Sequence, residues 1–80
     1  METQPVAVDA IGRTVADNVR AEMHRQGLTW RDLTERTGIS RTQLARALNG
    51  SRSFHLNEVA LLAVALRVDI ASLVAPTERS

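Results

Sequence analysis

Four arginines, Arg36, Arg41, Arg46 and Arg52, lie between Glu35 and Glu58, and no acidic side chain falls between those two glutamates. A guanidinium is a planar, permanently charged fork of donors whose shape matches a phosphate or the O6/N7 edge of guanine. All 10 basic residues are arginine and none is lysine. The net charge is only +1, so it is this local imbalance that marks where an anionic partner would bind. The plainer alternative is a solvated face with no partner. Other chemistry is poorly provided for. There is no cysteine, and the two histidines, His24 and His55, are far apart in the chain, so neither a disulfide framework nor a metal set is expected. The sequence holds no Ser/His/Asp grouping, no paired carboxylates on one face and no glycine-rich phosphate loop. It therefore reads as a non-enzyme with no metal, no cofactor and no small-molecule ligand.

The elements that must position these arginines follow from apolar spacing. Eighty residues suit one small core. The longest apolar run, Val59 to Leu66, is far too short to cross a bilayer, and METQPVAV lacks the basic and apolar regions of a signal peptide, so a cytoplasmic chain without membrane association is expected. Residues 1–8 read as a flexible N-terminal arm, 9–75 as the folded domain and 76–80 as a C-terminal tail. Asp9 would cap a first helix in which Ile11, Val15, Val19 and Met23 recur every four residues and which Gly27 ends. Thr29 and Asp32 have capping-box spacing for a second helix with Leu33 and Thr37 on its inner side, and Gly38 stops it after two turns. Ser40 and Gln43 repeat that spacing only two residues later. On the third helix, Ser40 to Asn49, the residues Ser40, Leu44, Ala47 and Leu48 share one arc, while Arg41, Thr42, Ala45, Arg46 and Asn49 share the opposite one. Gly50 closes it, residues 51–55 form a loop, Leu56 to Leu66 make an apolar fourth helix with Glu58 near its start, and Asp69 caps a short fifth helix, Ile70 to Val74, stopped by Pro76. No strand alternation or repeat occurs. The expected core is Val15, Val19, Met23, Leu33, Ile39, Leu44, Leu48, Leu56, Val59, Leu62, Leu66 and Leu73.

Two short helices joined by a tight glycine-containing turn, the second with an uncompensated polar face, form the pattern of a helix-turn-helix. With "GLTWRDLTERTGISRTQLARALNG" followed by "LNEVALLAVALRVDIASL", the chain resembles the Cro/C1-type (XRE-type) helix-turn-helix family of phage and bacterial repressors from about Val15 to Leu73. Gly27, Leu33, Gly38, Ile39, Ser40, Leu44, Asn49 and Gly50 stand where that family has like residues. The resemblance implies an all-α, compact five-helix lambda-repressor-like DNA-binding domain. There are departures. Met23 and Leu48 replace a buried Arg and Glu pair that often links the first helix to the end of the third, and an apolar pair can substitute for such an ion pair at no loss of stability. Thr34 stands where the family prefers alanine, and Arg67 replaces a common glycine after the fourth helix. Trp30 replaces a frequent glutamine at a backbone-contacting position; its indole N–H either donates to a phosphate or the ring packs on the first helix or the loop.

The resemblance implies a double-stranded DNA operator as partner. A helix fits the major groove, and its first turn comes closest to the bases. Ser40, Arg41, Thr42, Ala45 and Arg46 are the expected base contacts, with Arg46 able to reach a flanking phosphate instead. Trp30, Gln43, Asn49, Ser51, Arg52 and Ser53 are the expected phosphate contacts, which position without reading sequence. Family regulators pair two half-sites, so a homodimer on DNA is expected, using Leu61, Val64, Val68 and Ile70. The competing reading is an antitoxin-like or protein-interaction helix-turn-helix module. Its support is the apolar outer face at Leu61 and Val64, although Val6 and Val8 of the arm could cover it.

Overall fold

Local capping sets the helix boundaries. The computed structural model describes residues 5–76, with side chains from residue 10 onward, and contains α1 (Pro5–Gln26), α2 (Trp30–Thr37), α3 (Arg41–Leu48), α4 (Leu56–Leu66) and α5 (Ile70–Val74), with no strand among the described residues. At α2 the Thr29 N–H donates to Asp32 Oδ2 at 2.9 Å and the Asp32 N–H donates to Thr29 Oγ1 at 3.1 Å, a complete capping box. The hydrogen bond from the Thr29 backbone holds the Asp32 carboxyl below its ordinary pKa. At α3 half of the expected box forms: Ser40 Oγ accepts the Gln43 N–H at 3.2 Å.

Two caps differ from the sequence reading. α1 begins at Pro5 rather than after Asp9, because proline's fixed φ suits a first helical position, where an N–H has no partner in the helix anyway. Residues 1–4 and 77–80 of the expected arm and tail, and the side chains of Val6 and Val8, lie outside the described residues. Asp69 holds the extended cap geometry before α5, but its side chain makes no capping bond, and its carbonyl accepts the Ser72 N–H at 2.9 Å instead.

The α1 stripe packs against α3, α4 and α5, while α2 packs on α3 and α4. Val15, Val19, Leu33, Leu44, Leu62, Leu66 and Leu73 are the largest fully buried side chains, and Met23, Leu48 and Val59 complete the expected set around them. Each such aliphatic contributes roughly 1.5 to 3 kcal/mol when removed from water. Met23 and Leu48, in place of an ion pair, belong to one apolar cluster with Val19 and Leu44. Ile39 is partly buried and packs on its edge.

Ile11 and Leu56 do not join the core; they are 57% and 79% exposed. Both line an open groove between the start of α1, the loop after α3 and Val74 of α5, where no element closes over them. Ala47, on the inner arc of α3, is buried as its position implies, and small residues take places periodicity did not mark: Ala16, Ala63 and Ala65 are buried too.

α4 ends on a left-handed residue. Arg67 has φ 61 and ψ 42, the sole non-glycine with positive φ among the described residues. There the Arg67 N–H reaches the Val64 carbonyl and the Val68 N–H reaches the Ala63 carbonyl, at 3.1 and 3.0 Å. An L-residue in this conformation costs ~1 to 2 kcal/mol. Arg67→Gly should therefore raise stability by about 1 kcal/mol, a gain of ~4 to 8 °C in a thermal melt for a domain of this size; an unchanged or lower melting temperature would show that the arginine stem offsets the strain.

Candidate nucleic-acid interface

The connection between α2 and α3 is only three residues long, and its conformation is fixed by polar contacts. Gly38 has φ 78 and ψ 3, a backbone that other residues adopt only with strain, and its N–H donates to the Thr34 carbonyl at 2.8 Å. The Thr37 hydroxyl, buried at the corner, donates to the Leu33 carbonyl at 2.9 Å and accepts the Ile39 N–H at 3.1 Å. This one hydroxyl ties the end of α2 to the turn that launches α3.

With Leu44, Ala47 and Leu48 buried, the opposite arc of α3 faces outward, and Ser40, Arg41, Thr42, Gln43, Ala45, Arg46 and Asn49 are all exposed. Neither the Arg41 nor the Arg46 guanidinium has a hydrogen-bond or ion-pair partner among the described residues. At the far end Gly50 and Ser51 close α3, and the Asn49 Oδ1 accepts the Ser51 N–H at 2.9 Å, which leaves the Asn49 amide donors outward. Ser51 and Ser53 are exposed on the following loop.

Arg52, expected at a phosphate, is engaged within the chain. Its Nη1 donates to the Ser53 carbonyl and to Glu58 Oε1, both at 2.9 Å. Its Nη2 donates to the Gln43 carbonyl at 3.1 Å and to Glu58 Oε2 at 2.9 Å. All four Nη hydrogens are used inside the chain. The one donor left over, the Nε N–H, is buried without a partner. Arg52 instead joins α3, the loop and the start of α4, and Glu58 Oε1 also accepts the His55 N–H at 2.9 Å. The two side chains are 17% and 15% exposed. Hydrogen bonds from Arg52 hold the Glu58 carboxyl below its ordinary range, against the opposing effect of burial, and the same contact raises Arg52. Arg36 is likewise engaged, donating to the Ala65 carbonyl at 3.0 Å.

Sequence reasoning missed Arg20. On the α1 side of the exposed arc, Arg20, Trp30, Arg41, Ala45, Leu48 and Asn49 line a notch. Arg20 is exposed, and its Nη2 donates to the Leu48 carbonyl at 3.3 Å. Its position on α1, outside the basic stretch, gave no signal in the pattern. Trp30 is partly buried and packs against the core cluster, while also lining this notch.

Of the residues expected at a subunit contact, Leu61, Val64 and Ile70 are 41%, 76% and 40% exposed. Val68 is turned inward against the core cluster. Among the described residues no group of acids and histidines could hold a metal ion, and no helix is long and apolar enough to cross a membrane.

Residues 14–75 match the model of a family described as a helix-turn-helix domain. No curated protein and no solved structure matches the chain.

The Arg52–Glu58 pair has a pH signature. Because the folded Glu58 pKa is depressed, its stabilisation is complete above the unfolded value of about 4.3 and is lost as pH falls through the lower folded value. Glu58→Gln should lower stability near neutral pH by ~1 to 3 kcal/mol, and the gap from the unsubstituted protein should close on acidification below about pH 4. Chemical denaturation across that range checks it; a gap that persists at the acid end would mean that packing, not charge, is lost.

Proposed function

Because the chain belongs to the helix-turn-helix domain family, in keeping with its Cro/C1-type sequence, we propose that it is a sequence-specific regulator of transcription that binds double-stranded DNA. Most simply it is a cytoplasmic repressor that occludes a promoter. The observation that carries the reading is the outer arc of α3, where Arg41 and Arg46 stand exposed with all their donors unspent on the protein. An arginine that stabilises its own fold gives its hydrogen bonds to carbonyls or carboxylates, as Arg52 does. One that has none is available to a guanine edge or a phosphate.

With α3 in the major groove, Ser40, Arg41, Thr42 and Ala45 face the bases, and Arg46 reaches a base or a flanking phosphate. Ser40 Oγ accepts a backbone N–H, so its hydroxyl hydrogen is still free to donate. Gln43, Asn49, Ser51 and Ser53, with Trp30 at the start of α2, follow the backbone and fix the register. Arg52 holds the loop from inside. Arg41→Ala should cost ~1 to 3 kcal/mol per half-site and relax preference at one base position. Arg52→Ala should destabilise the fold yet leave the salt dependence of binding unchanged. Base-by-base affinity profiles at several salt concentrations separate the two; uniform loss for every sequence in Arg41→Ala would make it a backbone clamp and rotate the docking of α3.

One recognition helix reads only a few base pairs, so a homodimer spanning two half-sites about one helical turn apart supplies the specificity. Leu61 and Val64, three residues apart on the outer side of α4, and Ile70 at the start of α5 form the contact in this reading. The same exposed apolar residues favour the second reading, an antitoxin-like module that docks another protein. Leu61→Glu combined with Val64→Glu should abolish cooperative binding to a two-fold operator while leaving a single half-site bound weakly. Retained cooperativity would remove α4 from the dimer contact.

A further inference from the structure

We propose that Arg20, carried by α1 outside the helix-turn-helix, is a phosphate-binding residue of the interface. The inference rests on the DNA-binding reading above and extends the contact surface to a third helix. Four observations support it. Arg20 lines the same notch as Trp30, Arg41, Ala45 and Asn49, residues on the exposed arc of α3 and at the start of α2. On a helical projection Arg41, Ala45 and Asn49 form the edge of that arc next to Leu48, whose carbonyl is the group Arg20 touches. Arg20 therefore sits at the rim of the reading face.

Second, Arg20 is underused. Its one hydrogen bond is long, 3.3 Å, and engages a single Nη2 hydrogen, and the residue is exposed. Third, no acid neutralises it: Glu22, the nearest acid on its C-terminal side, is taken by Arg25 at 2.7 Å and by Gln26 at 2.9 Å, and Asp17 makes no ion pair with Arg20 among the described residues. Fourth, the residues that line the notch include two cations, Arg20 and Arg41, together with Trp30. A phosphodiester oxygen held there would meet the spare donors of both guanidinia. The bond to Leu48 keeps the Arg20 fork at the rim before binding, which reduces the side-chain entropy lost on contact.

A purely structural Arg20, capping the end of α3, makes a different forecast from a phosphate contact. The salt dependence of affinity for a random-sequence duplex counts phosphates neutralised, with a slope of about 0.9 per contact. Arg20→Ala should lower that slope by about 0.9 per bound chain, and Arg20→Lys, which keeps the charge, should retain it. Arg20→Gln removes the charge but keeps a polar side chain at an exposed position, so it should fold like the unsubstituted protein and still show the loss; it decides the matter if the alanine variant is unstable. Arg67→Gly removes one charge at the end of α4, away from the notch, and should leave the slope alone. An unchanged slope in Arg20→Gln, or an equal fall in Arg67→Gly, would overturn the assignment. If the unsubstituted protein shows no salt-dependent binding to any duplex, it is the DNA-binding reading itself that fails.

Discussion

The last four carbonyls of an α-helix have no partner within it, and in helices of eight or eleven residues they are a large share of the backbone's polar groups. Here N–H groups of the following turn meet some of these carbonyls, and side chains of other helices supply donors for several of the rest. In α4 the accounting is complete: the Ala63 and Val64 carbonyls accept Val68 and Arg67 N–H groups, Ala65 accepts Arg36 at 3.0 Å and Leu66 accepts Gln26 at 2.7 Å. In α3 the Leu48 carbonyl accepts Arg20, and after α5 the Asn18 amide bridges the Leu73 and Ala75 carbonyls at 2.7 and 2.9 Å. Three of these donors, Asn18, Arg20 and Gln26, come from α1. Its apolar side forms the core while its polar flank holds the ends of three other helices.

That constraint also sorts the arginines, which the sequence presents as equivalent. Arg36 and Arg52 lie in the acid-free stretch with Arg41 and Arg46, yet Arg52 is spent on carbonyls and a carboxylate and Arg36 gives one bond to the Ala65 carbonyl. The difference is position. Arg36 and Arg52 stand where another helix terminus or a loop carbonyl lies within reach, whereas the guanidinia of Arg41 and Arg46 meet no acceptor among the described residues. On α3 the two arginines that keep their charge free are those of the exposed arc, Arg41 and Arg46.

The helix order and most boundaries were legible because they depend on local chemistry. The Thr29–Asp32 box, the left-handed Gly38 and the apolar stripe on α1 are each encoded within a few residues. What was not legible required contacts between distant residues. Arg52 and Glu58 are six apart across a loop, so no helical spacing pairs them. Arg20 and Leu48 are 28 apart and meet through a side chain and a carbonyl, for which no residue pattern exists. Leu56 failed as a core residue because its helix begins beyond the edge of α1's cover, where an apolar type is no guide to burial. The outward arc of α3 was correctly drawn, since the facing Leu44, Ala47 and Leu48 determine it.

The exposed arc is held from both ends rather than by an ion pair through its middle. At the start, the Thr37 hydroxyl and the Gly38 backbone fix the angle at which α3 leaves α2. At the end, Arg52 spans the Gln43 carbonyl, the Ser53 carbonyl and Glu58 on α4. Between them, Met23 and Leu48 pack where a charged pair would need both desolvation and matched geometry. Apolar packing is tolerant of small shifts, so it alone would leave α3 able to slide; the directional bonds at its two ends remove that freedom. None of these bonds uses the side chain of Arg41, Thr42, Ala45 or Arg46. The reading face can consequently vary residue by residue while its position in space stays the same, and the chemistry of recognition is separated from the forces that hold the fold.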